Sequence, residues 1–133
     1  MRLATALLVS VALAACGDGQ EMAVADAART MSGLLAAGDA TAACALVAPA
    51  SRQELEQTEG DRCTTALPAL DLVQVDAVSS VQRYGRQASV VVESNDGEQD
   101  TWFLSRFDDR WLIVAASCEP RGQLPYDCEL EGP

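Results

Sequence analysis

The stretch TWFLSRFDDRWLIVAASC, residues 101 to 118, decides the fold. Two runs rich in aromatic and β-branched side chains, Trp102 to Phe107 and Trp111 to Ala116, flank the polar triplet Asp108-Asp109-Arg110. That spacing reads as a β-hairpin with a short loop. Both Trp, both Phe and the Leu112-Ile113-Val114 run fall within it, so the hairpin carries the densest apolar surface downstream of the first thirty residues. A core is expected here, with the rest of the chain arranged to cover it.

Working outward, Ala88 to Val92 alternates, with Ala88, Val90 and Val92 on one face, and Asn95-Asp96-Gly97 supplies turn chemistry before the hairpin. Upstream, Leu70, Leu72, Gln74 and Asp76 alternate against Asp71, Val73, Val75 and Ala77; extended chain runs on to Tyr84, and Gly85-Arg86 makes a turn. About four antiparallel strands are expected. The tail after Cys118 contains Pro120, Gly122 and Pro125 and reads as irregular chain, with Leu124 and Tyr126 placed to cover an edge or open end of the sheet.

Before the strands the period is helical. Val24, Ala28, Met31 and Leu35 line one face of a helix over residues 22 to 37, which Gly38 stops. Asp39 is placed to cap a second helix through Cys44 and Leu46, ending before Pro49. Ser51-Arg52-Gln53-Glu54 matches a capping box and predicts the start of a third helix, ended by Gly60. Asp61 then caps a last turn that carries Cys63 and Leu67 and stops before Pro68. Helices first and strands after them make an α+β domain: N-terminal helices packed on a curved antiparallel sheet.

The first residues are a processing signal. Arg2 gives a positive start, and Leu3 to Leu13 is apolar but too short to span a bilayer. The junction Leu13-Ala14-Ala15-Cys16 resembles the bacterial lipobox. That resemblance implies cleavage of a signal peptide over residues 1 to 15 and acylation of Cys16, with palmitate-type chains as the only membrane anchor. The alternative is a plain secretory signal that leaves Cys16 an ordinary cysteine. Residues 16 to 21 would be the lipidated Cys and a tether, and residues 22 to 133 a single domain on the extracytoplasmic face of the cell membrane. Without residues 1 to 15, eight Arg stand against twenty acids, and the chain contains neither Lys nor His. This charge excludes nucleic acid as a partner and disfavours anionic head groups.

Cys44, Cys63, Cys118 and Cys128 form an even set, which in an oxidising compartment reads as two disulfides. Of three pairings, sequence proximity favours Cys44 with Cys63 and Cys118 with Cys128, and the first link is expected to matter more for stability than the second. A metal site at these cysteines is disfavoured because no CxxC and no His complete a ligand set. Asp108-Asp109 is likewise not a metal site, since adjacent acids in a tight turn point apart. The Glu54-Glu56-Glu59 row reads as a solvated helix face, and no cofactor is expected.

The long N-terminal helix, the short helices and a sheet ending in a Trp111-Leu112-Ile113 strand resemble the nuclear-transport-factor-2-like (SnoaL-like) cone fold. The CALVAP segment at residues 44 to 49, Cys63, the RFDDRWLIVAASC pair and the closing PYDC are similar to small lipoproteins of high-GC Gram-positive bacteria. The resemblance implies fold and location more than activity.

Absence of His and Lys removes Ser-His-Asp, Cys-His, Schiff-base and Ser-Lys mechanisms. Cone-fold enzymes that use an Asp base with a Tyr or acid donor leave Asp76, Asp100, Tyr84 and Tyr126 as raw material here, in no matching motif. Two functions are therefore expected to compete. One is a non-enzymatic envelope module that binds a protein or small apolar ligand through Trp102, Trp111 and Tyr126. The other is a carboxylate-based isomerase or hydratase acting on a small apolar substrate, which a buried carboxylate inside a cone cavity would favour.

Overall fold

The computed structural model describes residues 18 to 133; Cys16 and the signal segment lie outside the described residues. Four helices, α1 (Asp18–Ala36), α2 (Ala40–Ala45), α3 (Pro49–Glu59) and α4 (Cys63–Ala69), precede five strands. The strands β1 (Ala77–Tyr84), β2 (Gln87–Glu93), β3 (Gln99–Phe107), β4 (Arg110–Arg121) and β5 (Leu124–Leu130) form one antiparallel sheet in sequence order. This is the α+β class expected, with five strands rather than about four.

The helices cover one side of the sheet. Val24, Ala28 and Met31 of α1 are fully buried with Leu67 of α4 against Val90, Val92, Trp102, Leu104 and Ile113, while Leu35, the last residue of the predicted stripe, is only partly covered. Cys44–Cys63 ties α2 to α4, and Cys118–Cys128 ties β4 to β5 across directly paired positions. The hairpin at the centre is as read from its sequence, although its turn is only Asp108-Asp109, with Phe107 opposite Arg110 and Asp108 at φ 52°.

Several boundaries move for physical reasons. α1 begins at Asp18, so residues expected as tether are helical, and the side-chain Oε1 of Gln20 accepts the indole N–H of Trp111 at 3.0 Å. α3 starts at Pro49, whose missing N–H suits the first turn of a helix, and the Ser51–Glu54 box is not used. Ser51 instead lies buried and its hydroxyl donates to the Val114 carbonyl at 2.7 Å, joining helix to sheet. Asp61 accepts only from Arg62 N–H, while the N–H of Cys63 at the start of α4 is met by Glu56 at 3.2 Å, and α4 runs through Pro68 to Ala69. Asp39 does cap α2, accepting from Ala42 N–H at 3.1 Å.

Residues 71 to 76 alternate in sequence but are not a strand. Two of their backbone donors are taken by side chains, Val73 N–H by the Ser117 hydroxyl at 2.8 Å and Val75 N–H by that of Ser32 at 2.9 Å, and only Asp76 N–H, next to β1, reaches a strand carbonyl, that of Glu93. The tail, by contrast, is a strand. Gly122 at φ 64° reverses the chain, and β5 occupies an edge, where Pro125 need not donate to a ladder. β5 reaches only the second half of β4. Beside the first half lies the α2–α3 connection, where Ala48 N–H donates to Ile113 O and Ile113 N–H to Leu46 O, both at 2.8 Å.

Candidate functional site

The aromatic residues first in line for binding do not form a surface. Trp102 is fully buried and Trp111 nearly so, both within the core beneath the helices. Tyr126 is on the opposite side of the sheet, in edge-to-face contact with Phe103 at 5.1 Å. The recess that Trp102 borders, between α1 and residues 72 to 74, has a volume of ≈ 110 Å³. Drug-sized ligands occupy about 300 to 1,000 Å³. The clustering at an open mouth expected from sequence is corrected on this point: one ring is packing, one is packing with a hydrogen bond, and one is on another face.

The four residues considered for acid–base work are also dispersed. Asp76 accepts the Asn95 N–H at 2.7 Å as part of the β2–β3 turn. Tyr84 is mostly exposed and donates to Gln82. Asp100 alone is buried, at 6% exposure, and it lies with neither tyrosine.

Asp100 instead belongs to an acidic cleft of ≈ 190 Å³ at one end of the sheet, lined by the carboxylates of Asp71, Glu98, Asp100, Glu119, Asp127 and Glu129 together with Ser117. Strand period and register explain how they meet. Asp100 shares the inward face of β3 with Trp102 and Leu104, and Glu98 precedes it by two residues at the end of the β2–β3 turn. In β4 a bulge sets Ala116 and Ser117 against the single residue Trp102, because Thr101 pairs with Cys118 and Phe103 with Ala115. Ser117 takes φ 51° there. With that extra residue absorbed, the same register brings Glu119 opposite Asp100, and Glu119 pairs directly with Asp127 of β5. Three carboxylates thus lie in one row across β3, β4 and β5, with Glu129 two residues beyond Asp127 on the same side. Asp71 closes the cleft from the chain that leaves α4.

Such a row opposes folding. Like charges directly across neighbouring strands repel. Among the described residues the ion pairs are Arg29–Asp26, Arg52–Glu56 and Arg106–Asp109, so none neutralises the cleft. Burial raises the Asp100 carboxyl above its ordinary range, the charges of Glu98, Glu119 and Glu129 push it the same way, and the Ser117 hydroxyl offsets only part of this. A raised carboxyl binds its proton more tightly when folded, so its effect on stability becomes less favourable as pH climbs from the ordinary carboxylate value through the raised one. One oxygen, Oδ1 of Asp100, is buried without a hydrogen-bond partner. Oxygen atoms of Glu98, Asp100 and Glu119 lie within 4.8 Å of one another.

Sequence reading missed this cleft because its acids come from five separate places in the chain. The available signal was Asp100 itself, an acid on the apolar side of an alternating strand, two residues before a buried Trp. Comparison with protein-family models, with curated proteins and with solved structures found no match to this chain.

Proposed function

We propose that the chain is a lipid-anchored, extracytoplasmic binding module of the cell envelope, held at the membrane by acyl chains on Cys16, with the acidic cleft as its working surface. The lipobox-like Leu13-Ala14-Ala15-Cys16 junction supports the anchor, and among the described residues no helix is long and apolar enough to cross a membrane. Helices layered on one side of an antiparallel sheet support kinship with the cone fold of nuclear-transport-factor-2-like proteins.

The observation that carries the binding reading is the buried Asp100, with an oxygen lacking any partner, inside a row of exposed carboxylates that no Arg pairs with. A site that holds six acids and no Arg attracts a cationic ligand. The same field argues against the isomerase reading. An enolate forming beside Asp100 would meet the carboxylates of Glu98 and Glu119, and neither tyrosine lines the cleft to donate a proton. The small apolar ligand is disfavoured in the same way, because the lining is polar and the recess at Trp102 is small.

Two measurements test the reading. Mass spectrometry of the membrane fraction is expected to find a mature N-terminus at acylated Cys16, and a soluble product with an unmodified Cys16 removes the anchor from the account. For the cleft, a short oligo-arginine peptide and divalent cations are titrated against the full chain. Some cationic probe must bind in a manner sensitive to Glu119→Gln; if none does, the cleft is not a binding surface.

A further inference from the structure

We propose that the acidic cleft is a calcium site, with Glu98, Asp100 and Glu119 as its protein ligands and Asp127 and Glu129 completing the shell directly or through water. The inference rests on the binding reading above and names the ligand class of that site.

The geometry is that of a hard, oxygen-rich site. Calcium takes six to eight oxygens at about 2.3 to 2.6 Å, so two oxygens on one ion are separated by no more than about 5 Å. One carboxylate oxygen from each of Glu98, Asp100 and Glu119 meets that limit, all lying within 4.8 Å. Magnesium needs about 2.0 to 2.1 Å and near-ideal octahedral order, which a rim of long, exposed Glu side chains does not impose. A cleft of ≈ 190 Å³ has room for the ion and several waters.

Acids alone on a surface would not carry this. The independent observation is Asp100, which is 94% buried by its 6% exposure and whose Oδ1 has no partner. A buried polar atom without a partner is a standing cost, and here its residue lines a cleft whose other carboxylates, when ionised, have no hydrogen to offer it. A divalent cation answers both problems. It gives the orphaned oxygen a partner and turns the repulsion across β3, β4 and β5 into a shared attraction. The ligands belong to the β2–β3 turn, to β3 and to β4, with those of β5 beside them. The ion would therefore pin the edge strand and that turn to the sheet. Extracytoplasmic location suits the chemistry, since sites on extracellular modules work at high ambient calcium with dissociation constants of about 10⁻⁴ to 10⁻³ M.

The test is isothermal titration of the chelator-stripped full chain with calcium chloride, beside magnesium chloride and an oligo-arginine peptide. One calcium is expected to bind per chain in the range just given, and to raise the melting midpoint. Glu119→Gln, an exposed change that leaves the core intact, is expected to weaken binding at least about tenfold, one charge-bearing ligand being worth that much in a shared site. Asp100→Asn should do the same with an unchanged far-ultraviolet circular dichroism spectrum, and Glu54→Gln on α3 should change nothing. Equal calcium affinity in wild type, Glu119→Gln and Asp100→Asn would mean diffuse screening and would overturn the proposal. So would magnesium binding as tightly as calcium. If calcium gives no heat while the peptide binds and depends on Glu119, the calcium assignment falls and the binding reading stands. If neither binds, both fall.

Discussion

Removing the Trp102 ring separates packing from ligand contact more sharply than any other single change. The ring is fully buried, pairs across strands with Val90, and sits with Met31 and Leu104 in the core. Trp→Ala in such a place costs about 3 to 5 kcal/mol through lost transfer energy and the cavity left behind. With a urea slope of about 2 kcal/mol per molar for a domain of this size, the denaturation midpoint should fall by about 1.5 to 2.5 M. That loss is a large share of the stability of an ordinary domain, so Trp102→Ala is at risk of not folding at all. Trp102→Phe keeps the test decisive. Phe retains most of the ring's contacts and removes an indole N–H that is buried without a partner. Relief of that orphaned donor, about 1 to 3 kcal/mol, offsets much of the lost contact, so the net cost should stay below about 1.5 kcal/mol. The assay is urea denaturation followed by fluorescence of Trp111, the only indole left in either variant and one fixed by Gln20. A midpoint for Trp102→Ala within about 0.3 M of wild type, a change worth well under 1 kcal/mol, would refute the reasoning and return Trp102 to the list of ligand contacts.

Two further outcomes follow from the same packing. Replacing Cys44 and Cys63 together by Ala should cost about 3.3 kcal/mol by loop entropy, against about 2.8 for Cys118 and Cys128, given sequence separations of 19 and 10. Urea midpoints that differ by much more than this would show that one bridge acts through the folded state. Ser51→Ala should cost about 1 to 2 kcal/mol because it orphans the Val114 carbonyl, while Glu54→Ala stays within about 0.5. Equal losses at the two positions would restore the capping box in place of the helix-to-sheet bond.

What the sequence disclosed was local. The Trp102–Ala116 hairpin was readable because two apolar runs and a polar turn fall within eighteen residues, and each partner's periodicity confirms the other. Asp39 and Gly60 punctuate helices as their side chains or their lack of one require, Gly60 at φ 68°. The failures are equally physical. Alternation from residue 70 looked like a strand from its start, yet a strand needs a neighbour's backbone, and before β1 begins at Ala77 hydroxyls of Ser117 and Ser32, each more than 40 residues away, took the donors of Val73 and Val75. Pro120 and Pro125 made the tail look irregular, but Pro forbids only a central position, and an edge strand beyond a Gly turn is open to it.

The cleft was illegible for a different reason. Apart from Asp100, each of its acids, taken alone, sits where an acid is ordinary: in a turn, near a strand end, or on an edge. The row exists only once β4 absorbs its bulge at Ala116 and Ser117, since a shift of one residue in a strand reverses every side chain beyond it. Without the bulge Glu119 would face away from Asp100, and the charges would be dispersed over two sides of the sheet. The device that creates the cleft is therefore the φ 51° of Ser117, a conformation that a non-glycine residue seldom adopts. Its hydroxyl binds Val73 N–H and so holds the bulge in place from the helix side. A chain shaped only for stability would have little cause to combine a strained residue, a bulge and a row of facing carboxylates within a few residues of its core. Their coincidence is what an ion-binding role would account for.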